Sequence, residues 1–239
     1  MKILLPLVAF LGSIGISSGA TAYWSFQNAG ATTHTTAVTY HTGFASAPSY
    51  SIFAGTGGAT TPSGGHGAGQ AYTEPTTSTP YVGGYASYWD GGSTNTTNLT
   101  GAGFGVVLNM TGLSDMTMRF DIRAAAAGEP KTGVPSSFAT INYRLAPGDA
   151  WTASGLTYST WSVTSGNFEQ VSQSLAGLDA IEGQSYVELQ FVLNGGPKAS
   201  ATQAQNVRVD NLQFTAIPEP SSVLLLSSLA GLVFLRRRN

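Results

Sequence analysis

The side chains equipped for chemistry are few and scattered. Three histidines, His34, His41 and His66, all fall in the first third of the 239-residue chain. His34 and His41 stand seven apart in a Thr-rich stretch with no acid between them, which suits histidines on strand surfaces better than a metal triad. The absence of cysteine removes a disulfide framework, a thiolate metal site and a thiol nucleophile together. Gly64 to Gly69 is glycine-rich enough for a phosphate loop but lacks the Lys-Ser/Thr pair and a following helix, so it reads as a linker. No Gly-x-Ser-x-Gly elbow occurs. Two acids, Asp121 and Glu188, fall on outward positions of predicted strands, where they could meet as the carboxylate pair of a glycoside hydrolase, ~5–9.5 Å apart. Arg119 and Arg123, two residues either side of Asp121 on the same face, give it a simpler role in surface cross-strand pairing. With no complete catalytic constellation, the expectation is a non-catalytic protein.

Aromatic residues carry the other chemistry. Tyr85, Tyr88, Trp89 and Asp90 stand beside a Gly-, Ser-, Thr- and Asn-rich stretch at 91–101, and Trp151 and Trp161 lie further on. Sugar rings pack their C–H faces on exposed aromatic rings, with amides and hydroxyls around them, so Tyr88 and Trp89 are the candidate glycan contacts. For Trp89 the sequence is equally compatible with a place in the core. Six basic residues (Arg119, Arg123, Lys131, Arg144, Lys198 and Arg208) face eleven acids between positions 23 and 216, a net charge of −5. A domain of that sign has no stripe to neutralise phosphates, which excludes nucleic acid as a partner.

The elements that must position these side chains repeat with period two. Met116, Met118, Phe120 and Ile122 alternate with polar residues through Arg123; so do Ala139, Ile141, Tyr143 and Leu145, and Val187, Leu189, Phe191 and Leu193. Shorter strands are expected at Ala22–Phe26, Phe104–Met110, Leu156–Ser162 and Val207–Phe214, with turns at Pro147-Gly148 and Asn194-Gly195-Gly196-Pro197. Charge at 9% with 42% hydrophobic and 10% aromatic residues still supplies a core. The expected fold is therefore all-β, an antiparallel sandwich over 23–216, with 54–103 as a loop-rich insertion. Met116–Arg123, Phe138–Leu145 and the closing Val207–Leu212 resemble strands of jelly-roll domains, which implies a structural calcium near the closing strand. Asp210 and Asn28 are the oxygen donors in question, and Asp210 is equally suited to capping a bulge or turn. No residue is assigned as a metal ligand and no other cofactor is expected.

The two ends speak of destination. Met1-Lys2, the apolar run Ile3–Ile16 and the small-x-small site Ala20-Thr21-Ala22 describe a secretory signal peptide cut after Ala22, and hence passage through the Sec export machinery. At the other end stand Ile217-Pro218-Glu219-Pro220, an apolar stretch at 223–235 and the cluster Arg236-Arg237-Arg238. That stretch is expected to form a single transmembrane helix of ~20 Å, held at the inner membrane by its terminal arginines. Residues 217–239 resemble the PEP-CTERM sorting signal, also catalogued as an ice-binding-protein C-terminal region. The resemblance implies an exosortase partner acting at Pro218-Glu219-Pro220, and a Gram-negative cell that makes exopolysaccharide and biofilm. The implied itinerary is a membrane-anchored precursor, then the cell surface or extracellular matrix. The expectation is a non-catalytic surface or matrix protein associated with polysaccharide, the alternative a secreted carbohydrate-binding or hydrolytic β-sandwich.

Overall fold

A computed structural model describes residues 19–26, 38–55, 72–73, 80–81, 87–90, 99–127, 133–163, 168–197 and 204–219. In chain order the strands are β1 (Ala20–Trp24), β2 (Tyr40–Thr42), β3 (Ser49–Phe53), β4 (Tyr72–Thr73), β5 (Pro80–Tyr81), β6 (Ser87–Asp90) and β7 (Thr100–Leu108). They continue with β8 (Leu113–Ala127), β9 (Phe138–Arg144), β10 (Thr152–Ala153), β11 (Glu169–Ser174), β12 (Val187–Asn194) and β13 (Ala204–Pro218). The first sheet runs β11-β8-β13-β1-β2 with β6 also on β13; the second runs β10-β9-β12-β7-β3, and β4 pairs with β5. Every pairing is antiparallel.

Alternation explains why the two large sheets face each other. Met116, Met118, Phe120 and Ile122 of β8 are buried on one face, and so are Val187, Leu189, Phe191 and Leu193 of β12 on theirs. Aromatic rings lock the sheets across the gap: Phe120 lies 5.8 Å from Phe138, Phe191 6.0 Å from Phe214, and Trp24 6.2 Å from Tyr50. Within the second sheet, Gly103 of β7 lets the backbone of β12 come close, since a Cβ there would stand 2.0 Å from the Phe191 carbonyl oxygen. The all-β, two-sheet expectation holds.

Several boundaries differ from expectation. The segment Leu156–Ser162 makes only the bridge Ser137–Thr160 rather than a strand. Side chains satisfy its backbone instead: Gln173 Oε1 accepts from the Ser159 amide at 2.8 Å, and Gln173 Nε2 donates to the Thr157 carbonyl at 3.1 Å. Parts of the expected insertion belong to the sandwich. Leu99 is buried, β7 begins at Thr100, and β6 pairs along Asn206–Val209. Strand β1 starts at Ala20, with Ala20 and Ala22 buried against β13, so the sheet takes in Ala20, Thr21 and Ala22 ahead of position 23. At the other end β13 runs past 216 to Pro218. Among the described residues no helix is long and apolar enough to cross a membrane; 223–235 and Arg236–Arg238 lie outside them.

Candidate functional site

The outer face of the second sheet is built by the alternation that fills the core. With Val187, Leu189, Phe191 and Leu193 turned inward, β12 turns Glu188, Gln190 and Val192 outward. Register sets Glu188 beside Arg144 and Val107, and Gln190 beside Asn142 and Gly105. Ser49 and Ser51 of β3 continue those rows past β7. The result is a rank of amides and hydroxyls across four strands spaced about 4.8 Å apart, lowered in the middle where β7 contributes Gly105.

Hydrogen bonds fix these groups. Asn142 Nδ2 donates to Gln190 Oε1 at 2.9 Å, and Thr140 Oγ1 donates to Asn142 Oδ1 at 2.8 Å. Glu188 Oε2 accepts from Arg144 Nε at 2.7 Å, from Arg144 Nη2 at 2.6 Å and from the Tyr186 hydroxyl at 2.6 Å. The Arg144 guanidinium also lies 4.6 Å from the centre of the Trp151 ring. Trp151, just ahead of the short edge strand β10, is 38% exposed and so keeps ring surface for a ligand. Burial and the neighbouring Glu188 carboxylate hold the Tyr186 phenol above its ordinary range.

The outer face of the first sheet carries a buried polar knot. A bulge in β13 between Asp210 and Gln213 inserts Asn211, whose backbone turns left-handed at φ +49°. There β13 changes neighbours, from β6 along Asn206–Val209 to β1 along Leu212–Ala216. Asp210 caps the bulge by accepting the Asn211 amide at 2.8 Å. Asn211 Oδ1 accepts from the Tyr23 hydroxyl and Nδ2 donates to Asp121 Oδ2, both at 2.7 Å. Gln170 Nε2 donates to the other Asp121 oxygen at 3.4 Å. Burial pushes the Asp121 carboxyl above its ordinary range, while the Asn211 and Gln170 donors and the Arg119 charge pull the other way.

Asp121 and Glu188 therefore do not meet, because they point from opposite faces of the sandwich. Nor is Asp121 an exposed partner of Arg119 and Arg123: it is 4% exposed, and Arg119 bonds Gln170. Period two gave Asp121 its face but said nothing of its depth. Trp161 is a core residue, donating its indole N–H to the Pro135 carbonyl at 2.7 Å. Tyr88 and Trp89 lie on β6, paired with Arg208 and Val207, rather than in a loop; their side chains fall outside the described residues. So do His34, His66 and Asn28, while His41 is exposed on β2. Among the described residues no three His, Asp or Glu side chains gather as a metal site. The Arg144–Glu188–Tyr186–Trp151 assembly was missed in the sequence, although Arg144 and Glu188 both stood on strands that alternation had identified.

At one pole, a groove of about 370 Å³ is lined by Gly19, Ala20, Asp115, Ile217 and the threonines Thr21, Thr117 and Thr215. The three threonines stand side by side across β1, β13 and β8. The end of β13 lies at the same pole. Pro218 pairs with Leu113, and the Glu219 amide donates to the Gly112 carbonyl at 2.9 Å.

No protein-family profile and no curated protein matches the chain. Among solved structures, 58% of this chain aligns with 23% of the CBM22-1–GH10 modules of the Clostridium thermocellum endo-1,4-β-D-xylanase 10B complexed with xylohexaose, at 9% identity and TM-score 0.32. The chain thus spans less than a quarter of that protein. A carbohydrate-binding module specific for non-crystalline cellulose aligns over 58% of this chain and 76% of its own length, at 15% identity and TM-score 0.31. A third structure, of carbohydrate-binding modules of promiscuous specificity from the β-sandwich superfamily, aligns over 84% and 86%, at 12% identity and TM-score 0.32. Likeness at this level assigns neither ligand nor activity to this chain.

Proposed function

We propose that the chain is an exported, membrane-sorted surface protein of a Gram-negative bacterium that binds neutral polysaccharide without turning it over. The observation that carries the binding reading is the outer face of the second sheet. There the exposed Trp151 ring, braced by Arg144, stands at the edge of a face on which Asn142 and Gln190 are fixed by their hydrogen bond and Ser49 and Ser51 continue the rows across β3. A planar ring beside pre-oriented amides and hydroxyls suits a sugar's C–H face and its hydroxyl groups at little ordering cost. Arg144 is neutralised by Glu188 and the rest of the row is uncharged, which favours a neutral glycan and binding insensitive to salt. The same ion pair supports the non-catalytic reading, since three donors already engage one Glu188 oxygen and Asp121 lies on the far face.

Export and sorting rest on the signal-peptide-like start and on Pro218-Glu219-Pro220 followed by 223–235 and Arg236–Arg238. Mass spectrometry of surface-extracted protein tests them: intact Arg236–Arg238 peptides on the surface form would leave an ordinary tail anchor. A glycan array with product analysis tests the activity. Retention of one or more neutral glycans without shortening is expected. Turnover that Asp121→Asn abolishes would favour the hydrolytic alternative.

A further inference from the structure

We infer that the first two residues of the sorting motif, Pro218 and Glu219, are held in the sheet by their backbone, and that processing requires the end of β13 to peel away from the turn at Met110–Leu113. The inference rests on the sorting reading above, but its geometry is independent of that reading. In Pro218-Glu219-Pro220 the two prolines have no N–H, so Glu219 supplies the motif's single backbone donor. That donor is committed to the Gly112 carbonyl at 2.9 Å. Immediately before it, Pro218 and Ile217 pair with Leu113 and Ser114 as the last rungs of the ladder between β13 and β8.

The turn that holds Glu219 is itself pinned. The Leu113 amide donates to the Met110 carbonyl at 2.8 Å, and the Gly183 amide donates to the Leu113 carbonyl at 3.1 Å. Glu182 Oε1 accepts from the Asp115 amide at 3.0 Å on the same corner. Glu219's carboxylate rests against Gly183, where an added Cβ would stand 3.0 Å from Oε1. Glu219 is itself exposed, so the feature of the motif that is committed to this corner of the domain is its backbone amide. No slack relieves the restraint, because three residues separate Glu219 from Val223, four residue steps or at most ~14 Å of extended chain. While the tail sits in a membrane, the domain stays at its surface, and an enzyme binding the motif as an extended segment must first displace Gly112. Fraying of a strand end is the low-energy opening that would admit it.

The test is pulse-chase processing of the full-length chain in an exosortase-bearing host, comparing wild type, Glu219→Ala and a variant with Gly-Ser-Gly-Ser inserted between Ile217 and Pro218. The insertion frees the motif from the corner, and a melting midpoint within ~3 °C of wild type shows that the sandwich survives. Processing is expected to run at least threefold faster in the insertion variant and to be abolished by Glu219→Ala. Equal or slower processing of the insertion variant beside a processed wild type would overturn the gate and leave the sorting reading intact. Processing in none of the three would overturn the sorting reading, and the gate with it. Hydrogen exchange of the unprocessed chain gives a second readout: the Glu219 amide should exchange at least tenfold slower than an unprotected amide. Free exchange there would overturn the proposal on its own.

Discussion

Replacing Asn211 perturbs the point where β13 changes neighbours, and the cost can be worked from three terms. Asn211→Ala removes the acceptor of the buried Tyr23 hydroxyl, about 1 kcal/mol for a neutral bond. It removes the Nδ2 donor to the buried Asp121 carboxylate, about 2 kcal/mol for a bond to a charged group. It also places a Cβ on a backbone at φ +49°, about 1 kcal/mol more. The expected loss is about 4 kcal/mol, read as a lower urea midpoint at unchanged slope. Asn211→Gly tolerates the backbone but makes neither bond, so it should lose about 3 kcal/mol; the difference between the two isolates the strain. The pH dependence carries a sign. A carboxyl whose folded pKa lies above its unfolded value near 3.8 stabilises the fold most in acid, and that contribution declines as pH rises from about 4 through the folded pKa. Removing the Asn211 donor raises the folded pKa further, so the decline should steepen and extend to higher pH. A loss below about 1.5 kcal/mol in both variants, or a glycine variant less stable than the alanine one, would refute this account of the bulge.

Asp121→Asn keeps an oxygen for Asn211 Nδ2 but cannot ionise, so the fall in urea midpoint between pH 4 and 7 should shrink relative to wild type. Trp161→Ala should cost about 3–5 kcal/mol in chemical denaturation, because its ring packs on Phe120 and Phe138 in the core. Gly103→Ala should yield insoluble or unfolded protein by circular dichroism, since its Cβ would overlap the Phe191 carbonyl.

What was legible in the sequence follows from how strongly each strand alternates. Met116–Arg123 and Val187–Leu193 each turn an apolar row to the core and, Val192 apart, a polar row outward, so the period stands out. Strand β11, Glu-Gln-Val-Ser-Gln-Ser, escaped because one of its two inward residues is Gln173, whose amide is satisfied by Ser159, Thr157 and Ser174. That same amide gave Leu156–Ser162 backbone partners without a strand, so its alternation misled. Asp121 and Trp161 show a further limit: residue type and period name a face, whereas burial depends on what else packs there. The candidate binding face was hidden for a related reason. Arg144 and Glu188 are 44 apart in sequence, Trp151 sits on an edge, and only the β9–β12 register brings the three together.

The central claim is that neutral polysaccharide binds the outer face of the second sheet at Trp151. Affinity electrophoresis of the folded chain against the glycans retained on the array tests it most directly, with Trp151→Ala, Gln190→Ala and Trp89→Ala run beside wild type at low and high salt. The account predicts at least tenfold weaker retardation for Trp151→Ala, a measurable loss for Gln190→Ala, wild-type retardation for Trp89→Ala, and no effect of salt. Full retardation of a folded Trp151→Ala variant, or loss with Trp89→Ala alone, would contradict it.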